Sequence, residues 1–142
     1  MSQHVDAQYL DHLRHSCAHL LAQAVQELYP DTLLTIGPST ETGFFYDCLP
    51  TQNFKEEDLP RFEAKMHEIA ARGYEIVGGQ VPKEEARPLF AHNRFKMELL
   101  ENIPGDTVGV YYQGNWFDLC RGGHVSNLKV LKYFKLTGIS GS

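Results

Sequence analysis

Residues 15–30 read HSCAHLLAQAVQELYP, and this stretch decides the fold because it predicts one long amphipathic helix near the start of the chain. The helical spacing runs from Asp6 to Tyr29 and ends at Pro30. On a wheel of about 100° per residue, one broad apolar face is shared by Leu10, Leu13, Cys17, Leu20, Leu21, Ala24 and Leu28. We expect that face to be buried.

His15 and His19 fall on nearly the opposite side of this helix, beside the small residues Ala18 and Ala22. One interpretation is a solvated face, since histidine is common at protein surfaces. The other is a site, because a spacing of four residues puts both imidazoles on one face, where the alanines leave room for a ligand or an opposing strand. Ser16 stands where a zinc protease of the HExxH type carries glutamate, which excludes that class.

A second stretch, DLCRGGH at residues 118–124, supplies complementary side chains. The Arg-Gly-Gly turn is flexible enough to fold His124 back beside Cys120. Asp118 and Cys120 are two apart on a predicted strand, so they face the same side.

Together, the two stretches allow two kinds of site. His15, His19, Cys120 and His124 form a plausible tetrahedral ligand set for Zn²⁺. The same side chains could instead line a hydrolytic pocket without metal, in which a neutral histidine is a good general base for water. The spacing does not separate these alternatives.

Elsewhere the pattern mixes helices and hairpins without βαβ alternation, so we predict an α+β fold. Its antiparallel sheet lies against the long N-terminal helix, which lines a cleft, in a single domain. The predicted hairpins pair Leu33–Ile36 with residues 43–49, and TVGVYY with NWFDLC. The remaining predictions are helices at Lys55–Arg72 and Lys83–His92, a strand in YEIVGGQV, and a strand or helix at Arg94–Leu100.

Composition excludes several classes of protein. The 142 residues are 42% hydrophobic and 22% charged, which suits a globular domain with one core. The three cysteines argue for reduced thiols rather than disulfides. With no apolar run near the roughly 20 residues that span a membrane and no signal-peptide pattern, we expect a cytoplasmic protein with no membrane partner. With a net charge of −5, either any nucleic-acid contact is local or most of the affinity comes from elsewhere. The clearest basic patch consists of Arg121, Lys129, Lys132 and Lys135.

Several motifs in order resemble the editing domain of bacterial-type threonyl-tRNA synthetases, within the editing superfamily shared with alanyl-tRNA synthetases. They are HSCAHLLAQAVQELYP, IGPSTETGFFYD, DLCRGGHV and YFKLTGISGS. The alanyl-type proteins share HxxxH and CxxxH but not the IGP and GFFYD block, which points to threonine. In two departures from the family pattern, Gly123 stands for a proline and Phe45 for a tyrosine.

The resemblance implies one editing domain over residues 1–142, with a core of about 6–136 and a tail at 137–142. The Gly-Ser end falls where the family continues towards its catalytic domain. We therefore expect an excised domain rather than a natural fragment.

The resemblance also implies a reaction, the hydrolysis of the seryl ester from mischarged Ser-tRNA(Thr). The partners would be the 3′ acceptor end of tRNA(Thr) carrying serine and the remaining domains of the synthetase. Two alternatives stay open: a zinc-stabilised tRNA-binding module without catalysis, and an alanyl-type deacylase acting in trans. No cofactor is expected for editing, with Zn²⁺ at His15, His19, Cys120 and His124 as the alternative.

Site residues follow from the motifs. The resemblance assigns catalysis to His15, His19, Lys96, Asp118, Cys120 and His124, and substrate binding to Tyr46 and Asp118. His15, beside His19, would position or deprotonate water, and Asp118 would receive the substrate ammonium group. Tyr46 would meet the serine side chain, and Lys96 the oxyanion or the terminal ribose. Cys120 and His124 would complete the pocket wall, where they could hold a second water.

Overall fold

The computed structural model describes residues 7–140, so the predicted helix start at Asp6 and the tail end at Gly141 and Ser142 lie outside the described residues. The helices are α1 (Ala7–Leu28), α2 (Asp58–Ala71), α3 (Lys83–Phe90) and α4 (Arg94–Asn102), with one 3₁₀ turn at Leu128–Val130. The strands are β1 (Leu33–Leu34), β2 (Cys48–Leu49), β3 (Ile76–Pro82), β4 (Thr107–Gln113) and β5 (Trp116–Leu119). The α+β prediction is confirmed. None of the helices in residues 7–140 combines the length and apolar character that crossing a membrane requires.

The two sheets are antiparallel. β1 pairs with β2, and a separate sheet has the order β3–β4–β5. Both predicted hairpins are confirmed, but the first is shorter than the sequence pattern suggested. Only Cys48 and Leu49 of residues 43–49 lie in a strand, paired with Leu34 and Leu33. Gly37 approaches the Tyr46 ring so closely that a Cβ would lie 2.1 Å from a ring carbon, and the chain between them forms a loop.

Helix α1 is buried on two sides. Its apolar face packs against α2 and the C-terminal segment through Leu20, Met66, Ile69 and Leu128, which are fully buried. The other face meets the three-stranded sheet, where the Gln113 amide donates to Gln23 Oε1 over 2.8 Å. The solvated-face interpretation of the histidine pair is therefore wrong, since His19 is only 3% exposed.

A second core lies on the opposite side of the sheet. Helices α3 and α4 cover Val108, Val110 and Leu119 with Phe90 and Leu100. Successive side chains of a strand alternate between its faces. The face of β5 that carries Asp118 therefore differs from the one that packs against α3 and α4.

The segment left open between strand and helix is helical. Asn93 caps α4, and its side chain accepts hydrogen bonds from the backbone N–H groups of Phe95 and Lys96. Such a cap satisfies two donors that a helix leaves unpaired at its start. Lys96 thus occupies the first turn of a helix.

Candidate active site

The histidine pair lies at the centre of the site. His15 Nε2 and His19 Nε2 are 3.0 Å apart, one helical turn from each other on α1. His15 Nδ1 lies 3.3 Å from the carbonyl oxygen of Gly123. Ser16 between them accepts a hydrogen bond from the Val125 N–H over 3.0 Å, which holds the loop after β5 against the helix.

The loop after β5 folds back as its glycines predicted. Gly122 and Gly123 have φ of 101° and 85°, a region that other L-residues rarely adopt. The resulting turn brings His124 Nε2 to 2.9 Å from Cys120 Sγ. The His124 ring stacks on His15 with centroids 4.5 Å apart.

Asp118 is the most heavily bonded side chain of the site. It is 2% exposed. Its Oδ2 accepts from the Tyr46 hydroxyl at 2.6 Å and lies 3.1 Å from His19 Nδ1. Its Oδ1 contacts Lys96 Nζ at 2.5 Å and accepts from the Leu119 N–H at 2.7 Å. Burial alone would raise the pKa of Asp118, but His19 and Lys96 outweigh it and hold that pKa well below its usual range.

Lys96 and Tyr46 complete the charged part of the site. The Lys96 ammonium donates to the Tyr46 hydroxyl over 2.8 Å. Burial and the neighbouring Asp118 carboxylate raise the pKa of Tyr46 well above its usual value, so the phenol keeps its proton. Asp118, Lys96, Tyr46 and His19 form what we call the inner group.

The remaining three side chains, His15, Cys120 and His124, form the outer group. Burial and the proximity of His19 lower the pKa of His15, and the same causes lower that of His124 to about 3. Burial raises the pKa of Cys120 to about 12. At neutral pH the outer group therefore consists of two uncharged imidazoles and a thiol.

The structure brings together all seven side chains that the sequence nominated, from α1, the β1–β2 loop, α4, β5 and the loop that follows it. Their contacts form one connected cluster at the inner and outer groups: His15, His19, Tyr46, Lys96, Asp118, Cys120 and His124. The nominated basic patch is divided: Arg121 lies in the loop of the site, next to Cys120, whereas two of its lysines lie near α2. Lys129 packs beside Gly73, and Lys135 Nζ lies 3.5 Å from Glu63 Oε2.

Three neighbours of the site were missed by sequence reasoning. The Trp116 ring lies 5.7 Å from that of His19, and the Tyr111 ring 5.0 Å from that of His124. Nothing in the local pattern distinguishes these aromatic residues from core. Asn93 did carry a signal, since asparagine three residues before Lys96 is a favoured helix start.

The outer group and His19 are also close enough to hold a metal ion. One ligand atom from each of His15, His19, Cys120 and His124 lies within 4.8 Å of all the others. With Zn–N near 2.0–2.1 Å and Zn–S near 2.3 Å, the ligand atoms of a tetrahedral site are roughly 3.3–3.8 Å apart. Three imidazoles and one thiolate suit zinc, so these residues fit a zinc ion after small shifts.

Comparisons with known proteins point to one family. Residues 108–142 match the family described as "Threonyl and Alanyl tRNA synthetase second additional domain". The chain is 50% identical to a threonine–tRNA ligase of Rubrobacter xylanophilus over 130 residues, which is 92% of this chain and 20% of that protein. It is 47% identical over 131 residues to one of Phytoplasma australiense, at 92% and 20% coverage. A third, from Helicobacter hepaticus, is 45% identical over 130 residues, at 92% and 22%.

The chain thus spans about a fifth of the length of the curated relatives it matches. The resemblance to the editing domain of threonyl-tRNA synthetases, which the motifs indicated, is confirmed over most of this chain.

Proposed function

We propose that this chain, as part of a threonyl-tRNA synthetase, hydrolyses the seryl ester of mischarged Ser-tRNA(Thr). The observation that carries the proposal is the continuous path of contacts from Asp118 through His19 to His15, which ends beside the Cys120–His124 loop. The similarity to threonine–tRNA ligases supplies the substrate class.

The need for such a reaction follows from binding energetics. Serine lacks one methyl group of threonine, and a missing methyl changes binding by only about 1–3 kcal/mol. A synthetase therefore gains accuracy from a second, hydrolytic site that accepts serine and rejects threonine by its extra methyl.

Counting hydrogens along the path nominates His15 as the base. Three contacts link Asp118, His19, His15 and the Gly123 carbonyl, and both ends of the path are acceptors. We propose tautomers in which each imidazole carries one N–H group, so that two N–H groups serve three contacts. The two shorter contacts, 3.1 and 3.0 Å, take them, with His19 donating to Asp118 and His15 donating to His19. The Nδ1 of His15, at the longer 3.3 Å contact, then keeps its lone pair for a proton from water.

His124 offers the complementary donor. A neutral thiol beside an imidazole favours S–H···N, because nitrogen is the stronger acceptor, so Cys120 donates to His124 Nε2. The N–H of His124 then lies on Nδ1, which is buried and has no hydrogen-bond partner within residues 7–140. We assign this N–H to the carbonyl oxygen of the ester, where negative charge develops during attack.

The inner group would bind the amino acid. Each oxygen of the Asp118 carboxylate already contacts two protein donors, which leaves no position for the substrate ammonium. We therefore propose that the substrate ammonium displaces the Lys96 ammonium from Asp118. One cation replaces another, and the released Lys96 can approach the oxyanion or the terminal ribose. Tyr46 would then offer its hydroxyl to the serine side chain.

The proposed step is a simple hydrolysis. Water oxygen bonds to the ester carbonyl carbon while its proton passes to His15. The bond from that carbon to the ribose oxygen then breaks, and the ribose oxygen takes the proton that His15 received, which returns His15 to its neutral form. The products are serine and tRNA with a free 3′ end.

Release of labelled serine from Ser-tRNA(Thr) tests the proposal. His15→Ala and Cys120→Ala should each reduce the single-turnover rate on the order of 100-fold or more, because one removes the base and the other removes the partner that orients the His124 N–H, while circular dichroism stays native. His67→Ala is the control, because His67 is an exposed histidine of α2 that stacks on Phe134. Full hydrolysis by both site variants would refute the assignment.

We propose that this reaction needs no cofactor, and the metal-ligand geometry makes a zinc-stabilised, non-catalytic tRNA-binding module the second candidate. If zinc binds, His15, His19, Cys120 and His124 would hold it as a four-ligand site that ties α1 to the loop after β5. The second candidate predicts stoichiometric zinc and a lower melting midpoint after chelation. Elemental analysis before and after chelation, with melting curves, distinguishes the two candidates.

An alanyl-type deacylase is the third candidate, since the matching family includes alanyl-tRNA synthetases. Parallel assays of serine release from tRNA(Thr) and tRNA(Ala) separate it from the first. Faster release from tRNA(Ala) would overturn the threonine assignment.

The cellular context is part of the same proposal. The partners would be the acceptor end of tRNA(Thr) and the other domains of the synthetase, in the cytoplasm. The domain limits, with a core near 6–136 and a tail at 137–142, stay a prediction. Limited proteolysis of a longer chain would check them.

A further inference from the structure

We infer that Asn93 is a positioning residue that sets where Lys96 and Tyr46 meet at Asp118. This inference rests on the proposed function for its activity readout. Asn93 is 4% exposed, and its Oδ1 accepts from the N–H groups of Phe95 at 3.0 Å and Lys96 at 3.2 Å. One half of its amide therefore fixes the backbone of the lysine itself.

The other half of the same amide reaches the hairpin that carries Tyr46. Asn93 Nδ2 donates to the carbonyl oxygen of Leu34 over 2.8 Å. Leu34 in β1 is paired with Cys48 in β2. Two further backbone bonds, Thr35 N–H to Asp47 O at 2.9 Å and Asp47 N–H to Ile36 O at 2.7 Å, continue the pairing to the residue next to Tyr46.

Asn93 joins helix α4 to the β1–β2 hairpin, and each of these two elements places one side chain in the inner group. Lys96 Nζ and Tyr46 Oη are 2.8 Å apart, and each contacts the Asp118 carboxylate. A shift of α4 relative to β1 would separate Lys96 Nζ from Tyr46 Oη without disrupting either element. Because catalytic groups must be held to within a fraction of an ångström, the amide of Asn93 controls the geometry of both side chains.

Asn93→Asp isolates the contact with the hairpin. Aspartate keeps the capping oxygen and is itself a favoured cap, but it places an oxygen where Nδ2 faced the Leu34 carbonyl. We expect kcat for serine release to fall on the order of 10–100-fold with KM within about threefold, as for displaced positioning groups. Asn93→Ser also keeps the cap but is too short to reach Leu34, and it adds no charge. It should lower kcat in the same way.

The chain offers a matched control in Asn127. Its Oδ1 accepts from the Lys129 N–H at 2.8 Å, and its Nδ2 donates to the Gly73 carbonyl at 3.0 Å. Asn127→Asp therefore breaks the same kind of link away from Lys96 and Tyr46. We expect it to lower the melting midpoint while kcat stays within about twofold of wild type, because it leaves the Lys96 cap intact.

Coupling to Lys96 separates positioning from a general structural role. If Asn93 acts through Lys96 as well as Tyr46, Asn93→Asp should reduce the single-turnover rate by a smaller factor in a Lys96→Met background than in the wild type. An equal fold-loss in both backgrounds would overturn the inference. Should Lys96→Met unfold or lower the rate to spontaneous hydrolysis, the comparison with Asn127→Asp decides instead. Equal kcat losses in Asn93→Asp, Asn93→Ser and Asn127→Asp would overturn the inference.

Failure of the proposed function would look different. In that case the wild-type chain would release no serine from Ser-tRNA(Thr). An active wild type without the Asn93 effects would refute the positioning role alone.

Discussion

The inner and outer groups are adjacent, yet they satisfy their polar atoms in opposite ways. In the inner group, both Asp118 oxygens are shared by two partners and the charges of Lys96 and Asp118 cancel. In the outer group the side chains are neutral, and His124 Nδ1 is buried without a partner within residues 7–140. A saturated, charge-balanced cluster holds geometry, whereas an unsatisfied neutral cluster is suited to take up water and an ester.

The largest effect should come from removing the inner carboxylate. Asp118→Asn keeps the shape but leaves the buried Lys96 ammonium unpaired, which should destabilise the fold by about 3–5 kcal/mol in urea unfolding and abolish serine release. Asp58→Asn is the control, because the Asp58 carboxylate accepts from three donors, Tyr29, Lys55 and Arg61, but is partly exposed and pairs with an exposed arginine. Similar losses in both variants would mean that burial does not distinguish the inner group.

The pH dependence of stability should separate the two groups. The folded pKa values of His15 and His124 lie below 6.5, so below that pH the unfolded chain binds more protons and stability falls as pH falls. The pKa of Asp118 in the folded chain lies below 3.8, so protonation in the inner group lowers the free energy of unfolding only below pH 3.8. Urea midpoints should therefore decline between pH 6.5 and 4.5 because of the outer group, above the range in which Glu27 and Glu101, whose pKa values are lowered from 4.5 by Arg72 and Arg87, add their own loss.

Replacing the outer histidines tests that assignment. A chain with His15→Asn and His124→Asn should show a flatter decline above pH 4.5, whereas His67→Asn on α2 should not change the slope. A slope that survives the double substitution would place the responsible protons elsewhere.

The smallest effect should come from the loop of the outer group. Gly123 has φ of 85°, and a Cβ there would lie 3.5 Å from His12, an ordinary contact. Gly123→Ala should therefore cost about 1–2 kcal/mol from backbone strain. It should also slow serine release, because the Gly123 carbonyl lies beside His15.

Gly105→Ala is the matched control for this loop. Gly105 has φ of 91° and open space around its Cβ position. It should lose similar stability in thermal melts and keep its hydrolysis rate. Equal rates in the two alanine variants would show that the loop conformation does not affect the base.

Much of the site was visible in the sequence because its parts are local. The HxxxH spacing places two imidazoles on one helix face, and Arg-Gly-Gly allows His124 to return to Cys120. Lys96 had to come from the family resemblance, since its contacts with Tyr46 and Asp118 join residues far apart in the chain. No local pattern predicts which lysine will be buried.

Two sequence interpretations needed the fold to correct or complete them. The solvated-face option for the histidines failed because the wheel shows which residues share a face but not what covers it. The sheet covers it, with Trp116 against His19. The strand predicted at residues 43–49 shortened to Cys48–Leu49. Beyond it the two segments are joined only by separate backbone hydrogen bonds at Asp47 and by an isolated bridge between Ser39 and Phe44.

The amino-acid sequence by itself determined the helices, the hairpins and the set of side chains available for chemistry. Those features depend on spacing, turn residues and capping within short segments. The tertiary structure alone decided that Asp118 would be buried among Lys96, Tyr46 and His19, which sets its charge state. Burial and charge pairing are properties of surfaces brought together from distant segments, so they arise only when the sheet closes over α1.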